Sequence, residues 1–225
     1  TDENYFGSSG DFYIDAYNSE VRVSNLIVVF ERGNFSSDMV PVLVDQISSG
    51  LNENDESIYI LNVWEKGVLK KLYLNSTFKV YNGNVKNGVS YSDPSFIKKG
   101  DIIRYIKNKN GYISNLQYIF SPSSATAYQA SGTNYDASYR TMFARAVDIT
   151  NGIVEVSASS NLDDETATEV FYLEGTVVYQ LEDSKITKTS IENISTYKPD
   201  GNAGMADKIF IFTSRSKPKI ALIIK

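Results

Sequence analysis

The side chains in this sequence that could do chemistry are carboxylates, amides and phenols. Histidine and cysteine are absent. That removes the usual general base near neutral pH, the thiol nucleophile and the common zinc ligands. Two facing carboxylates can still hydrolyse a glycosidic bond. Here the carboxylates recur at corresponding places in the chain instead: Asp45 with Asp148, and Asp11 with Asp101 and Asp207. Equivalent positions in successive units are not a pair in one site, and an Asp opening a strand ordinarily supports a turn. We therefore expect no catalytic, cofactor-binding or metal residues, and a chain that is not an enzyme.

Calcium is the one ion the composition suits. Asn52, Glu53, Asn54, Asp55 and Glu56 cluster hard oxygens, as do Asp163, Asp164 and Glu165. Neither run fits the EF-hand pattern: the first has Ser57 at the glycine position and Val63 at the bidentate glutamate position. Solvated acidic turns are the simpler reading. The 16 tyrosines and the single Trp64 offer stacking faces for sugars, although Tyr also fills half-wet β surfaces. Asn34, Asn75 and Asn193 open N-glycosylation acceptor triplets, a frequent coincidence in a chain rich in Asn and Ser.

The element that must position any of these groups is best seen at residues 100–120, GDIIRYIKNKNGYISNLQYIF. It reads as a β-hairpin with a type I′ turn at Asn110-Gly111, where both central residues need φ > 0. That turn pairs Tyr105 with Leu116, Ile103 with Tyr118 and Asp101 with Phe120 on one buried face. Ile106/Asn115, Arg104/Gln117 and Ile102/Ile119 then form a second, wetter face.

The same hairpin recurs. Residues 10–30 align with 100–120 without a gap, and residues 206–225 form a weaker third copy. Upstream, LVDQISSG (43–50) is like RAVDITNG (145–152), and LYLNSTFKVY (72–81) is like FYLEGTVVY (171–179). The order is the same each time: a V-D strand, a Y-L strand, then the closing hairpin. This is the mark of internal duplication. Residues 1–32 are read as the closing hairpin of an upstream, incomplete unit, which makes the chain an internal piece of a longer protein. Residues 33–121 are a first complete β unit; residues 122–225 are a linker strap and a second complete β unit. The strap, 121–139, contains no Leu, Ile or Val. Residues 190–197 suit either a short helix or a strand. No stretch keeps a 3.6-residue apolar period, so the fold is expected to be all-β, with two tandem small antiparallel barrels or sandwiches and an extra N-terminal hairpin.

At 225 residues, two small cores are affordable. The formal charge of −5, with scattered Lys and Arg, excludes a general binder of phosphate backbones, so no nucleic-acid partner is expected. Apolar runs such as 26–30 and 220–224 are far short of a membrane span. No secretion signal opens the chain.

The words VLVDQISSGLNENDESIYILNVWEKG and FIKKGDIIRYIKNKNGYISNLQYIF, with YRTMFARAVDITNGIVEV opening and ADKIFIFTSRSKPKIALIIK closing the next unit, resemble the tandem β-domain regions of clostridial S-layer-type cell-surface proteins. In that family such domains accompany S-layer homology modules, which bind secondary cell-wall polymers. The resemblance spans most of residues 19–225. The largely helical S-layer homology module itself is not present in the sequence, so neither wall anchoring nor site residues carry over. The resemblance implies a non-catalytic structural segment, extracellular, in the cell wall or surface layer of a Gram-positive bacterium. Its partners would be neighbouring domains of the same chain, other copies of itself, or a cell-wall polysaccharide. A glycan-binding module using Tyr and Trp64, and a phage tail or baseplate β-module, are the alternative readings.

Overall fold

The computed structural model describes residues 11–18, 23–30, 35, 39–52, 54–83, 88–128, 139–159, 166–196, 206–214 and 217–225. The fold is all-β, in tandem β units with an N-terminal hairpin. That hairpin, β1 (Asp11–Asn18) and β2 (Val23–Phe30), forms a two-stranded antiparallel sheet of its own, with Asp11 opposite Phe30 and Asn18 opposite Val23. It belongs to one compact unit, residues 1–34, and the remainder of the chain forms another.

The second unit begins with a barrel. Its strands are β3 (Val42–Leu51), β4 (Ser57–Glu65), β5 (Val68–Asn82), a short β6 (Val89–Tyr91), β7 (Ile102–Lys107), β8 (Ile113–Ser121) and β9 (Thr126–Ala127). The first three form a meander, and β7 pairs antiparallel with β3. The closing strand β8 runs beside β7 and then pairs in parallel with the far half of β5, Val80 opposite Leu116. The ring β3-β4-β5-β8-β7 is thereby closed, leaving β6 and β9 as flaps. This is the strand order of an OB-type five-stranded Greek-key barrel. Closure needs strong bending, which a bulge supplies at Asp45 and a register break supplies in β5 between Leu74 and Lys79. Val42, Val44, Leu61, Val63, Leu72, Leu74, Phe78, Ile103, Leu116 and Tyr118 fill the interior, with Ile97 from the turn before β7 among them.

The second barrel repeats this plan with β10 (Tyr139–Thr150), β11 (Ile153–Ser157), β12 (Glu169–Tyr172), β13 (Val177–Glu182), β14 (Lys185–Thr189), β15 (Lys208–Ser214) and β16 (Lys217–Ile224). Its bulge lies at Val147, and β13 pairs in parallel with β16. The bent strand β5 is here broken into β12 and β13 by residues 173–176, with Gly175 at φ +74°. Of residues 190–197, open between helix and strand in the sequence, the described part forms a 3₁₀ turn at Ile191–Asn193, and Ile191 and the following Ile194 plug this core as Ile97 plugs the first.

A third core joins the barrels. Leu43, Ile102, Ile119 and Phe120 from the first meet Tyr139, Tyr179, Phe210, Phe212, Ile220 and Leu222 from the second. Phe120 stacks on Phe210 with centroids 4.3 Å apart. The closing hairpins are therefore buried on both faces, which is why they read as nearly continuous apolar runs. This corrects the wet face expected of 100–120. Arg104 and Gln117 do lie opposite each other, as expected, but both are buried at the joint. Arg104 Nε donates to Gln117 Oε1 at 2.7 Å, Gln117 Nε2 donates to the Gly83 carbonyl at 2.7 Å, and the guanidinium lies 4.6 Å from the Tyr139 ring centroid.

The turn also differs. Ile103/Tyr118 and Tyr105/Leu116 pair as expected, but a bulge puts Ile102, and not Asp101, opposite Phe120. Gly111 has φ +83° while Asn110 does not take positive φ, and Gly111 N–H donates to the Asn108 carbonyl. The loop is thus a turn ending on a left-handed glycine, and not type I′. True two-residue turns with both φ positive occur at Lys66-Gly67, Asn151-Gly152 and Asp183-Ser184.

If the third core couples the barrels, Phe120→Ala should cost about 3–5 kcal/mol. Urea unfolding should keep one transition by both circular dichroism and Trp64 fluorescence; two separated transitions in the wild type would show independent barrels. Gly100 has φ +89°, and a Cβ there would sit 2.8 Å from Leu181 Cδ2 in the other barrel. Gly111 has a similar φ with open space around it. Gly100→Ala should therefore lower the urea midpoint clearly more than Gly111→Ala, the former by about 1–3 kcal/mol.

Candidate functional site

The recurring aspartates have structural employment. Asp101, buried at the head of the closing hairpin, accepts hydrogen bonds from Lys98 N–H (2.8 Å), Tyr118 Oη (3.0 Å) and Ser121 Oγ (2.7 Å). Its counterpart Asp207 accepts from Ser195 N–H (2.7 Å) and pairs with Lys225 (2.9 Å). In both barrels the backbone carbonyl of this Asp accepts from the first strand, from Val44 N–H and from Ala146 N–H. The motif ties the plugging turn to the sheet. Asp45 pairs with Lys99 at 3.3 Å, and Asp148 accepts from Thr150 Oγ1 at 3.2 Å. The structure does not bring Asp45 and Asp148 together; each serves its own barrel.

Trp64 is half-buried in the third core, 6.1 Å from the Tyr179 ring, so it offers no stacking platform. The tyrosines divide. Tyr118, Tyr139 and Tyr179 are buried; Tyr59, Tyr73, Tyr91 and Tyr172 stand exposed. Burial, reinforced by Asp101, drives the Tyr118 phenol far above its ordinary value, so it acts only as a neutral donor. Tyr179 Oη accepts from Gly67 N–H at 2.9 Å, linking the β4–β5 turn to the second barrel.

The acidic turn considered for calcium is held by its own amide. Asn52 Oδ1 accepts from Asn54 N–H and Glu56 N–H, both at 2.9 Å, and Asn52 Nδ2 donates to Glu56 Oε2 at 2.8 Å. Among the described residues no three His, Cys, Asp or Glu side chains come together as a metal site would need. Asp163, Asp164 and Glu165 lie outside the described residues, as do Glu53, Asn34 and Ser36.

Two clefts of about 440 Å³ open on the surface, one on each barrel. The first lies where the β3–β4 loop, the bend of β5 and the β7–β8 loop converge, lined by Asn52, Glu56, Tyr59, Asn75, Asn110 and Tyr112 among others. The second lies between the Asn151-Gly152 turn, the break between β12 and β13, and residues 189–192. Two walls of each cleft match in the duplicated plan; the third is the β7–β8 loop in one and the turn before β15 in the other. The sequence reading passed over both, because their walls come from turns and from the strand-3 bend, and are not contiguous in the chain. The shared word at 72–81 and 171–179 was the available signal. No family model, curated protein or solved structure matches this chain.

Burial holds the Asp101 carboxyl above its usual range, outweighing the hydrogen bonds that favour the ionised form. Its proton-linked contribution to stability is thus fully present below the ordinary carboxylate range and is lost as the pH rises through the raised folded value. Asp101→Asn removes that titration. The urea-stability advantage of wild type over Asp101→Asn should shrink from about pH 3 to about pH 7. A gap that widens instead would show that the three donors outweigh burial.

Proposed function

We propose that residues 35–225 are a non-catalytic structural segment of a bacterial cell-surface protein of S-layer type, holding neighbouring domains of the same chain at a fixed spacing outside the cell. The observation that supports this reading most is the third core. It makes a single body of two duplicated barrels, with stacked phenylalanines and a sequestered arginine where a flexible tandem would have an exposed, polar joint. A spacer that transmits position or load gains from such a joint, because it has no hinge to absorb displacement. The absence of His and Cys and the structural use of the recurring aspartates accord with a part that does no covalent chemistry. The extracellular compartment is proposed on the sequence resemblance to clostridial surface-layer β-domains alone.

Antibodies raised against residues 35–225 should label intact cells of the source organism and detect the protein in the envelope fraction. Labelling confined to the cytosol would overturn the reading. In single-molecule stretching, residues 35–225 should unfold in one force event; two separate events of barrel size would remove the rigid-spacer argument even if the location were correct.

A further inference from the structure

We infer that the cleft on the first barrel binds a short stretch of neutral oligosaccharide, and that the cleft on the second barrel is its duplicated, diverged counterpart. The chemistry of the walls carries this. The first cleft presents the amides of Asn54, Asn75 and Asn110 and the hydroxyls of Ser57 and Ser76, while the Asn52 amide is largely taken up by its own loop. Amide and hydroxyl groups donate and accept together, as vicinal sugar hydroxyls require. The aromatic component is Tyr59 and Tyr112, with Tyr73 set edge-on to Tyr112 at 6.4 Å. Such rings suit the apolar C–H face of a pyranose.

Other ligand classes fit worse. Among the described residues Glu56 is the only charged side chain on the wall and no Lys or Arg lines it, so a phosphate or sulfate would find no counter-charge there. Ile58 and Leu74 line it too, but both side chains are almost wholly buried and offer little surface to a lipid chain. The size, about 440 Å³, lies within the usual range of small-ligand sites.

The cleft is also held in shape before any ligand arrives. Asn52 Oδ1 organises the β3–β4 loop through two backbone N–H groups. Asn108 Oδ1 does the same for the β7–β8 loop, accepting from Asn110 N–H at 3.0 Å and Tyr112 N–H at 3.1 Å. Asn75 Nδ2 donates to the Thr77 carbonyl at 2.8 Å across the β5 bend. Three separate loops are each fixed by an asparagine, and all three face one cleft. Such preorganisation lowers the ordering cost of binding.

Recurrence is the independent observation. The second cleft has the same volume, shares the turn and the strand break as two of its walls, and is lined by Tyr172, whose exposed counterpart Tyr73 stands beside Tyr112 at the first. Tyr at this position is not needed by either core. Glu174 and Glu192 on its wall mark where the two copies have diverged.

The test is a titration of ¹⁵N-labelled protein, followed by NMR shifts. The probes are neutral tetrasaccharides of glucose, galactose, mannose and N-acetylglucosamine, with an oligothymidylate for comparison. At least one sugar should shift Asn75, Asn110 and Tyr112 with a Kd of about 0.01–1 mM. Tyr112→Ala and Asn75→Ala, shown folded by their amide spectra, should each weaken it about tenfold or more, while Tyr172→Ala leaves the first-cleft shifts in place. No shift with any sugar at about 10 mM, unchanged affinity in both first-cleft variants, or tighter binding of the oligothymidylate at these residues would overturn the inference. None of these results bears on where the protein resides or how it unfolds under load.

Discussion

The contact on which the rest of the molecule depends is the stack of Phe120 on Phe210 and the apolar surface around it. A five-stranded barrel of this size encloses a small core, and neither barrel buries enough by itself to be comfortable. Each closing hairpin solves this by using its second face. Ile103, Leu116 and Tyr118 turn into the first barrel, while Ile102, Ile119 and Phe120 turn outward to the second. Ile209, Ile211 and Ile223 turn into the second barrel, while Phe210, Phe212 and Leu222 turn outward to the first. Alternation along β7, β15 and β16, and along β8 as far as Ile119, thus builds three cores, with Phe120 joining the third where the register shifts opposite Ile102.

Within that joint sits one costly element. Arg104 is almost fully buried, and a guanidinium out of water is tolerated only with donors directed to acceptors and a favourable electrostatic surface. Gln117 and the ring of Tyr139 supply these, and Gln117 passes the chain of hydrogen bonds on to the Gly83 carbonyl at the end of β5. The second hairpin has no such pair; Phe210 stands where the alignment places Arg104. The two faces of the joint are therefore unlike, and that asymmetry gives the pairing of first with second barrel a specificity that two apolar faces would lack.

Much of this architecture was legible in the sequence because duplication wrote it twice. The V-D strand, Y-L strand and closing hairpin occur in that order in both barrels, and their strand class and pairings at Ile103/Tyr118 and Tyr105/Leu116 follow from alternation. The parallel closure of β8 on β5 was not legible, since parallel pairing leaves no local turn signal. Nor was the burial of Arg104 and Gln117, because a polar pair on a strand reads as a wet face unless the partner surface is known. The Asn110-Gly111 turn misled for a local reason: Asn108 captures two backbone N–H groups with its side chain, which selects a longer loop over the two-residue turn. Trp64 packs against a core, as the simpler reading of its type suggests, but which core covers it is a tertiary matter, since the second barrel does so.

The same distinction explains why the candidate site escaped the sequence while its supports did not. Buried tyrosines lie at the joint and in the cores, and exposed ones lie on β4, β5, β6 and β12, at the side of each barrel away from the third core's membership. Fusing the barrels uses the closing hairpins together with Leu43, Trp64, Tyr139 and Tyr179, and leaves the β3–β4 loop and the strand-3 bends to solvent. In a body made rigid by its joint, those loops are where sequence can change without cost to packing, and where clefts of matching size have survived duplication. The asparagines that shape the first cleft satisfy local backbone groups, N–H donors at Asn52 and Asn108 and a carbonyl at Asn75, so each reads locally as an ordinary turn residue. Their convergence is a property of barrel closure, the β5 bend bringing Asn75 between the loops held by Asn52 and Asn108. The parallel pairing of β5 with β8 is therefore what turns three unremarkable turns into one surface.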